Sequence, residues 1–368
     1  MNGEQDMTES AGDHSETDGL SREEKRARRL RRIQSAAVLL FVVPLLFLPL
    51  LWGVCDYLYV YRIPKGTTVV DDSAVREYAP CFDFIFRKRI GEKYWPYLYY
   101  RRYIVSDGAT EIRYGAFTGK KMRGVRLPDT LTRIESGSFA SCTELREIDW
   151  PESVTEMDDA MFINCLKLNR VRLPEGLKTV GVRSFENCVS LKKIEIPDSV
   201  VTVENTLFLD CASLCEVKLS ARLRIIEPAM FKNCTALKKL EIPDGVMRVG
   251  FDAFSGCAEL EEIDLPEVEV IGENAFANCT ALKKVVLSRN VRQIEPHAFS
   301  GCAALKTIAF PVGAEAVNSR AFRRCFGLKN VEFRWSTSGG RPVSVGSTDF
   351  LGVVPPEEPD DPSVSPEK

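Results

Sequence analysis

The stretch "NAFANCTAL" (Asn274 to Leu282) is followed by "HAFSGCAAL" (His297 to Leu305), with Phe, Cys and Leu at the same mutual spacing. Aligning the chain on that phenylalanine collects Phe117, Phe139, Phe162, Phe185, Phe208, Phe231, Phe254, Phe276, Phe299 and Phe322. The steps are 23 residues, except 22 into Phe139 and into Phe276. From Phe139 onward a cysteine stands three residues later, and a leucine three after that. The ladder triplets therefore include Phe139, Cys142 and Leu145; Phe162, Cys165 and Leu168; Phe185, Cys188 and Leu191; Phe231, Cys234 and Leu237; and Phe276, Cys279 and Leu282. A period of 20 to 29 residues with leucines at fixed offsets indicates a solenoid of stacked coils.

Each part of the repeat has a physical reading. In "LKKIEIP" (Leu191 to Pro197), Ile194 and Ile196 alternate with Lys193 and Glu195, as a half-buried strand requires. Pro197 closes that strand, because it has no N–H to extend a ladder. The "AFxxC" piece reads as one helical or 3₁₀ turn that drops Phe and Cys into the interior. Asn, Gly, Asp or Ser usually precedes the cysteine (Asn164, Asn187, Asp210, Asn233, Gly256, Asn278, Gly301), which suits a tight turn at positive φ. One coil alone has two uncovered ends. Stacking covers them, so the array is expected to fold as a unit, ten rungs at ~4.8 Å giving a body of about 45–50 Å.

At these residues the chain resembles the BspA-type, or Treponema-type, leucine-rich repeat, whose pattern is I-G-x-x-A-F-x-x-C-x-x-L-x-x-I-x-L-P. "IGENAFANCTALKKVVL" from Ile271 follows it closely, and the resemblance spans about residues 104–333. It implies an α/β fold, a right-handed leucine-rich repeat solenoid of about ten coils. It also implies a non-catalytic surface role in adhesion or binding of host proteins. Ser220 and Ser288 depart from the proline, and "PEVEVIG" from Pro266 is one residue short.

The flanks differ in kind. Residues 1–20 are polar and acidic, and "SREEKRARRLRR" then places seven Lys or Arg between Arg22 and Arg32. Together, residues 1–32 read as a disordered cytoplasmic tail. Ala36 to Cys55 carries no charge over 20 residues, long enough to span a hydrocarbon core of ~30 Å. Residues 33–61 are therefore expected to be one transmembrane signal-anchor helix, with Trp52, Tyr57, Tyr59 and Tyr61 at its outer edge. A cleaved signal peptide is the alternative, but no small-residue cleavage site follows. The basic excess before the span leaves the N-terminus cytoplasmic and the solenoid extracellular, at the plasma membrane.

Residues 62–103 read as a juxtamembrane segment and N-terminal cap. Ten aromatics in residues 74–103 interleave with Arg87, Lys88, Arg89, Lys93, Arg101 and Arg102, and the cap grades into a degenerate coil at "VSDGATEIRYGAF" (Val105 to Phe117). Residues 334–353 read as a closing segment around Phe350, and residues 354–368 as an acidic, Pro-rich tail.

Catalytic and cofactor motifs are missing. The net charge of −3 argues against nucleic acid as partner. Only two histidines exist, His14 and His297, and no phosphate-binding or dinucleotide loop is present. Twelve cysteines in an exported chain invite disulfides. Nine of them occupy one inward position, however, where cysteine acts as a small buried hydrophobe. Cys211 and Cys215 have zinc-like spacing but no second pair. "NCT" at Asn233 and Asn278 matches a glycosylation acceptor within a packed turn. No cofactor or metal is expected, and the protein is read as no enzyme.

The outward strand residues form two charge rows. One runs Glu147, Arg170, Lys193, Glu216, Lys239, Glu262, Lys284; the other Asp149, Arg172, Glu195, Lys218, Glu241, Asp264. Neighbours are mostly opposite in sign, which supports cross-strand pairs. The alternation fades at Val286, Thr307, Ala309 and Asn330, a weakly charged patch and the candidate binding face for protein ligands, host or bacterial, with the loop edges as the alternative. A single-pass sensor or regulatory subunit is the competing function.

Overall fold

The computed structural model describes residues 60–75, 102–311, 314, 316–318, 320–333 and 343–346. Within them the chain winds as a parallel β-solenoid built from two ladders of short strands. The first ladder holds the strands legible in the sequence. Val60–Arg62, Arg102–Ile104, Gly124–Arg126, Glu147–Asp149 and Arg170–Arg172 form one sheet. Lys193–Glu195 pairs with Glu216–Lys218, and Glu262–Leu265 with Lys284–Leu287. Alternation carries Ile148, Ile194, Ile263 and Ile308 into the core while Lys193, Glu195 and their counterparts stay exposed.

A second ladder lies between the first and the phenylalanine turns. Its strands are two residues each, such as Thr179–Val180, Thr202–Val203, Ile225–Ile226, Arg248–Val249 and Val270–Ile271. The second residue of each is buried except Val317, which is half-buried, and the five strands from Ile225–Ile226 to Ala316–Val317 form one continuous sheet.

No helix occurs among the described residues, which corrects the expected α/β character. The "AFxxC" segment is a succession of tight turns rather than a helical turn. Two positions in each coil from Phe117 to Phe299 lie at positive φ. The one before cysteine was expected, and Asn164 (61°), Asn187 (58°) and Asn278 (60°) occupy it. The second lies two residues before the phenylalanine and is held by Ala160, Arg183, Thr206, Ala229, Asp252, Asn274 and His297. Reversing φ twice per coil turns the backbone without the 3.6-residue helical period. The freed N–H groups bond to the next coil instead, as Phe208 N does to Met230 O at 2.9 Å and Thr206 N to Pro228 O at 2.9 Å.

All ten ladder phenylalanines are buried. Successive rings from Phe117 to Phe322 stack with centroids 5.0 to 5.7 Å apart and planes within 21° of each other. The two serines at proline positions close their strands differently. The hydroxyls of Ser220 and Ser288 each donate to a carbonyl of the preceding coil, Val200 O and Val268 O, both at 2.7 Å.

At the N-terminal end the solenoid begins earlier than expected. Val60 pairs with Arg102 and Val69 with Glu111, so residues 60–75 form a coil of their own. Val60 and Tyr61, placed by the sequence reading at the end of the apolar span, open its first strand. The registers lie 42 residues apart (60 to 102), where the next step, Arg102 to Gly124, is 22. About 20 residues are therefore inserted within this first coil. Val75, fully buried, stands five residues after Val70 as Phe117 stands five after Ile112. Tyr61 and Tyr103 continue the aromatic column, with ring centroids 5.3 Å apart, and Tyr103 meets Phe117 edge-on at 5.7 Å.

At the other end, Val343–Gly346 runs antiparallel to Asn330–Phe333. A hairpin strand thus lies within the expected closing segment 334–353. Residues 1–59, with the apolar span, and most of the aromatic segment 76–101 lie outside the described residues, as do Phe350 and the acidic tail. No helix among the described residues is long and apolar enough to cross a membrane.

Candidate binding surface

The inward triplets are fully enclosed. Phe139, Cys142, Leu145, Phe162, Cys165, Leu168, Phe185, Cys188, Leu191, Phe231, Cys234, Leu237, Phe276, Cys279 and Leu282 have no exposed surface. The cysteines do more than fill space. Each thiol donates to the carbonyl of the phenylalanine one coil earlier: Cys142 to Phe117 at 3.0 Å, Cys188 to Phe162 at 3.2 Å, Cys279 to Phe254 at 3.2 Å. All nine ladder cysteines are free thiols. Burial pushes the seven from Cys142 to Cys279 up, to about 12 for Cys165, Cys211 and Cys257, so their thiolate chemistry at neutral pH is suppressed. At the end of the column a mutual hydrogen bond raises Cys302, with burial second, and lowers Cys325. Cys211 is buried in its ladder and Cys215 is exposed, so the zinc-like spacing brings no ligand pair together. Among the described residues no cluster of His, Cys, Asp and Glu could hold a metal ion.

The solvent face of the first ladder carries the charge rows in register. Glu147 stands beside Arg170, Asp149 beside Arg172, Lys193 beside Glu216, and Glu195 beside Lys218. Arg170 reaches Asp149 at 3.2 Å, Lys193 reaches Glu195 at 3.3 Å and Glu216 at 3.5 Å, and Lys239 reaches Glu262 at 2.9 Å. Every partner is well exposed, so each pair contributes only ~0–1 kcal/mol. Their effect is on the surface: adjacent charges neutralise one another, leaving no long run of one sign. A shallow depression of about 300 Å³ lies between Arg170–Arg172 and Lys193–Glu195, where these strands belong to separate sheets.

The weakly charged end is assembled from two sheets. Val286 lies in Lys284–Leu287 and is 40% exposed, facing Asp264 in register. Thr307 and Ala309 lie in Thr307–Phe310, the first exposed and the second half-buried, and Thr307 pairs with Asn330. Val286, Thr307, Ala309 and Asn330 are thus placed on three consecutive strands of the first ladder. Among described residues none of the first three makes an ion pair, so contact with a partner there displaces little bound charge.

Three exposed apolar residues at or beside the second ladder carry no mark in the sequence pattern. Val201, Ile225 and Met247 are exposed on consecutive coils, 48%, 39% and 49%. Ile225 stands directly before the inward Ile226, whereas Val201 and Met247 stand one residue further back, before Thr202 and Arg248. The sequons belong to the same outer turns as the cysteines. Both Asn233 and Asn278 are exposed rather than packed away, and Asn233 Nδ2 donates to Asp210 Oδ1 at 2.8 Å.

Stacked parallel coils, a buried Phe–Cys–Leu column and an open strand face define a leucine-rich repeat scaffold. The sequence pattern of the BspA type leucine rich repeat region matches residues 110–238 and 224–338 in six copies, over half of the chain, and the chain belongs to that family. Proteins of this class are typically non-catalytic scaffolds for protein interaction. A leucine-rich repeat protein from Bacteroides ovatus is 25% identical, with a TM-score of 0.37, over 62% of this chain and 78% of that one. The T. pallidum leucine-rich repeat protein is 24% identical, TM-score 0.36, over 56% and 78%. The pneumococcal vaccine antigen PcpA is 16% identical, TM-score 0.46, over 76% and 74%. No curated protein matches the chain.

Proposed function

We propose that the protein is a membrane-tethered cell-surface scaffold that binds other proteins, in the manner of an adhesin. The observation that carries this reading is the first-ladder face: a row of short parallel strands whose outward side chains neutralise one another and fade to an uncharged end at Val286, Thr307 and Ala309. Proteins, with mixed charge and apolar anchors, suit such a surface better than polyanions do. The tether rests on the uncharged run Ala36–Cys55 and the basic residues before it. The expected span, cut back to residues 33–59 by the strand that opens at Val60, would hold the chain at the plasma membrane, N-terminus inside, with the solenoid extracellular.

Capture of partners from host and bacterial surface extracts tests this function. The bait should begin before Val60, because a start at residue 62 removes most of the first strand. Specific retention of surface proteins supports the reading; a bait that folds and retains none refutes it. The sensor reading is favoured by the acidic and basic blocks of residues 1–32. Deleting residues 1–20 separates the two, since an adhesin keeps its binding and phenotype while a sensor loses its output.

A further inference from the structure

The outer turn of the last coil differs from all the others. It reads "RAFRRCFGLK" from Arg320 to Lys329, four cations and no acid. Arg320, Arg323, Arg324 and Lys329 are exposed, and none makes an ion pair among the described residues. Phe326 projects between them, 85% exposed, more than any other large apolar side chain described. The equivalent positions one to three coils earlier hold Ala303, Thr280 and Ala258. Arg324 also occupies a left-handed site, φ 64°, where the preceding coils place Gly301, Asn278 and Gly256. Glycine or asparagine fits that conformation with less strain. An arginine there adds a cation at a cost to the turn.

The chain leaves the solenoid beside this turn. Because Val343–Gly346 runs antiparallel to Asn330–Phe333, Gly346 lies opposite Asn330, the neighbour of Lys329. Eight residues later comes "PPEEPDDPSVSPE", Pro355 to Glu367, with five acids, five prolines and no base. Eight linking residues reach about 26 Å when extended, enough to place that segment anywhere on the turn. The two stretches are complementary in two respects. Carboxylates suit arginine, which can hold them with paired N–H groups. Prolines spaced along a stiff extended chain suit an exposed aromatic ring, as in proline-rich peptide recognition.

We propose that residues 355–367 dock on the basic, Phe326-tipped turn of the same chain, so that this end of the solenoid is masked by its own tail. A tail on a short linker meets the turn at an effective concentration near millimolar. Partners with acidic, proline-containing segments would compete for the turn.

A labelled peptide of residues 353–368 tests the proposal against the full chain in detergent micelles, by fluorescence anisotropy at low salt. The peptide should bind a chain carrying Glu357→Gln, Glu358→Gln, Asp360→Asn and Asp361→Asn at least tenfold more tightly than the wild type, whose own tail fills the site. In that neutralised background, Arg323→Gln with Arg324→Asn should weaken binding at least tenfold, as should Phe326→Ala. Asparagine at 324 keeps the turn conformation used by other coils, and circular dichroism checks the fold. Equal binding to both chains, no binding, or indifference to the turn substitutions would overturn the proposal. Wild-type dimers that separate when the tail is neutralised would mean exchange between two copies, and would also overturn it.

Discussion

The thiol of Cys234 donates a hydrogen bond to the carbonyl oxygen of Phe208, 3.2 Å away and 26 residues earlier in the chain. The same carbonyl also accepts the turn bond from Cys211 N at 3.1 Å. Each cysteine thereby clips its own coil to the one before it, while its sulfur packs among apolar neighbours. That combination suits a position with no access to water: a methyl would fill part of the space without a donor, and a hydroxyl would be a stronger polar group to bury. Native protein treated with a disulfide reagent at pH 8 should therefore leave the eight ladder thiols from Cys142 to Cys302 unmodified, with exposed Cys215 reacting. Denaturant should release these eight. Reaction of several ladder thiols in the folded state, faster than global unfolding, would contradict their enclosure.

The same burial makes the fold sensitive to alkali. The thiols of Cys165, Cys211 and Cys257 rise from 9.0 to about 12 on folding, with desolvation as the leading cause. Their folded pKa is raised, so the neutral-thiol preference contributes fully below pH 9 and is lost as pH climbs toward 12. In that window the unfolded chain gives up protons that the folded chain retains, and each group costs stability at ~1.4 kcal/mol per pH unit. Urea midpoints should fall steeply between pH 9 and pH 11 and hold nearly level between pH 7 and pH 8. A flat profile to pH 11 would mean that the thiols ionise in place.

Phe231 sits in mid-column, its ring 5.5 Å from Phe208 and 5.2 Å from Phe254. Replacing it by alanine leaves a cavity that neighbouring coils, held by their own hydrogen bonds, cannot close. Phe231→Ala should cost about 3–5 kcal/mol, read from the shift in chemical denaturation midpoint. A loss under 1 kcal/mol would be incompatible with a packed column.

Much of this column was legible in the sequence because it repeats ten times at a nearly constant period. What escaped notice lacked either length or a marked residue. The second ladder uses two residues per coil, as at Thr202–Val203, too few to show alternation. The left-handed site before the phenylalanine is filled by Ala160, Arg183 and Thr206, residues that signal no turn, because the interlocking coil bonds rather than local preference impose the conformation. The coil at residues 60–75 was hidden by the insertion that separates it from its neighbour, and its Val75 stands where a phenylalanine would have declared it. The candidate face was read from fading charge alone, and sequence could not tell that Val286 and Thr307 belong to separate sheets.

Thr206 makes that imposed conformation testable. At φ 58° its branched side chain crowds the backbone, and its hydroxyl bonds only the adjacent Asn205 O, at 2.6 Å on the exposed surface. Asparagine tolerates the left-handed region better than any β-branched residue. Thr206→Asn should stabilise the fold by about 0.5–1 kcal/mol, seen as a higher thermal midpoint. Asn187→Val, at φ 58° in the other turn site, should lower it, and would also remove the Asn187 Nδ2 bond to Asn164 Oδ1 at 2.8 Å. Opposite signs for the two changes are the required result.

Partner capture should divide the first-ladder face in two. Glu195 and Lys218 lie side by side in register, and Lys193 serves both Glu195 and Glu216. Exchanging the two residues, as Glu195→Lys with Lys218→Glu, keeps the local charge sum and alters exposed pairs that contribute ~0–1 kcal/mol. Stability and capture should both be nearly unchanged. Val286→Glu combined with Ala309→Glu places two like charges on the neutral end beside Asp264, with which neither can pair, and an arriving protein would have to desolvate them. Buried unpaired charge at an interface costs several kcal/mol, so capture should drop by at least tenfold while the melting profile stays the same. Should the exchange at residues 195 and 218 abolish capture while the charges at 286 and 309 leave it intact, the binding surface lies in the middle of the ladder, among the ion pairs.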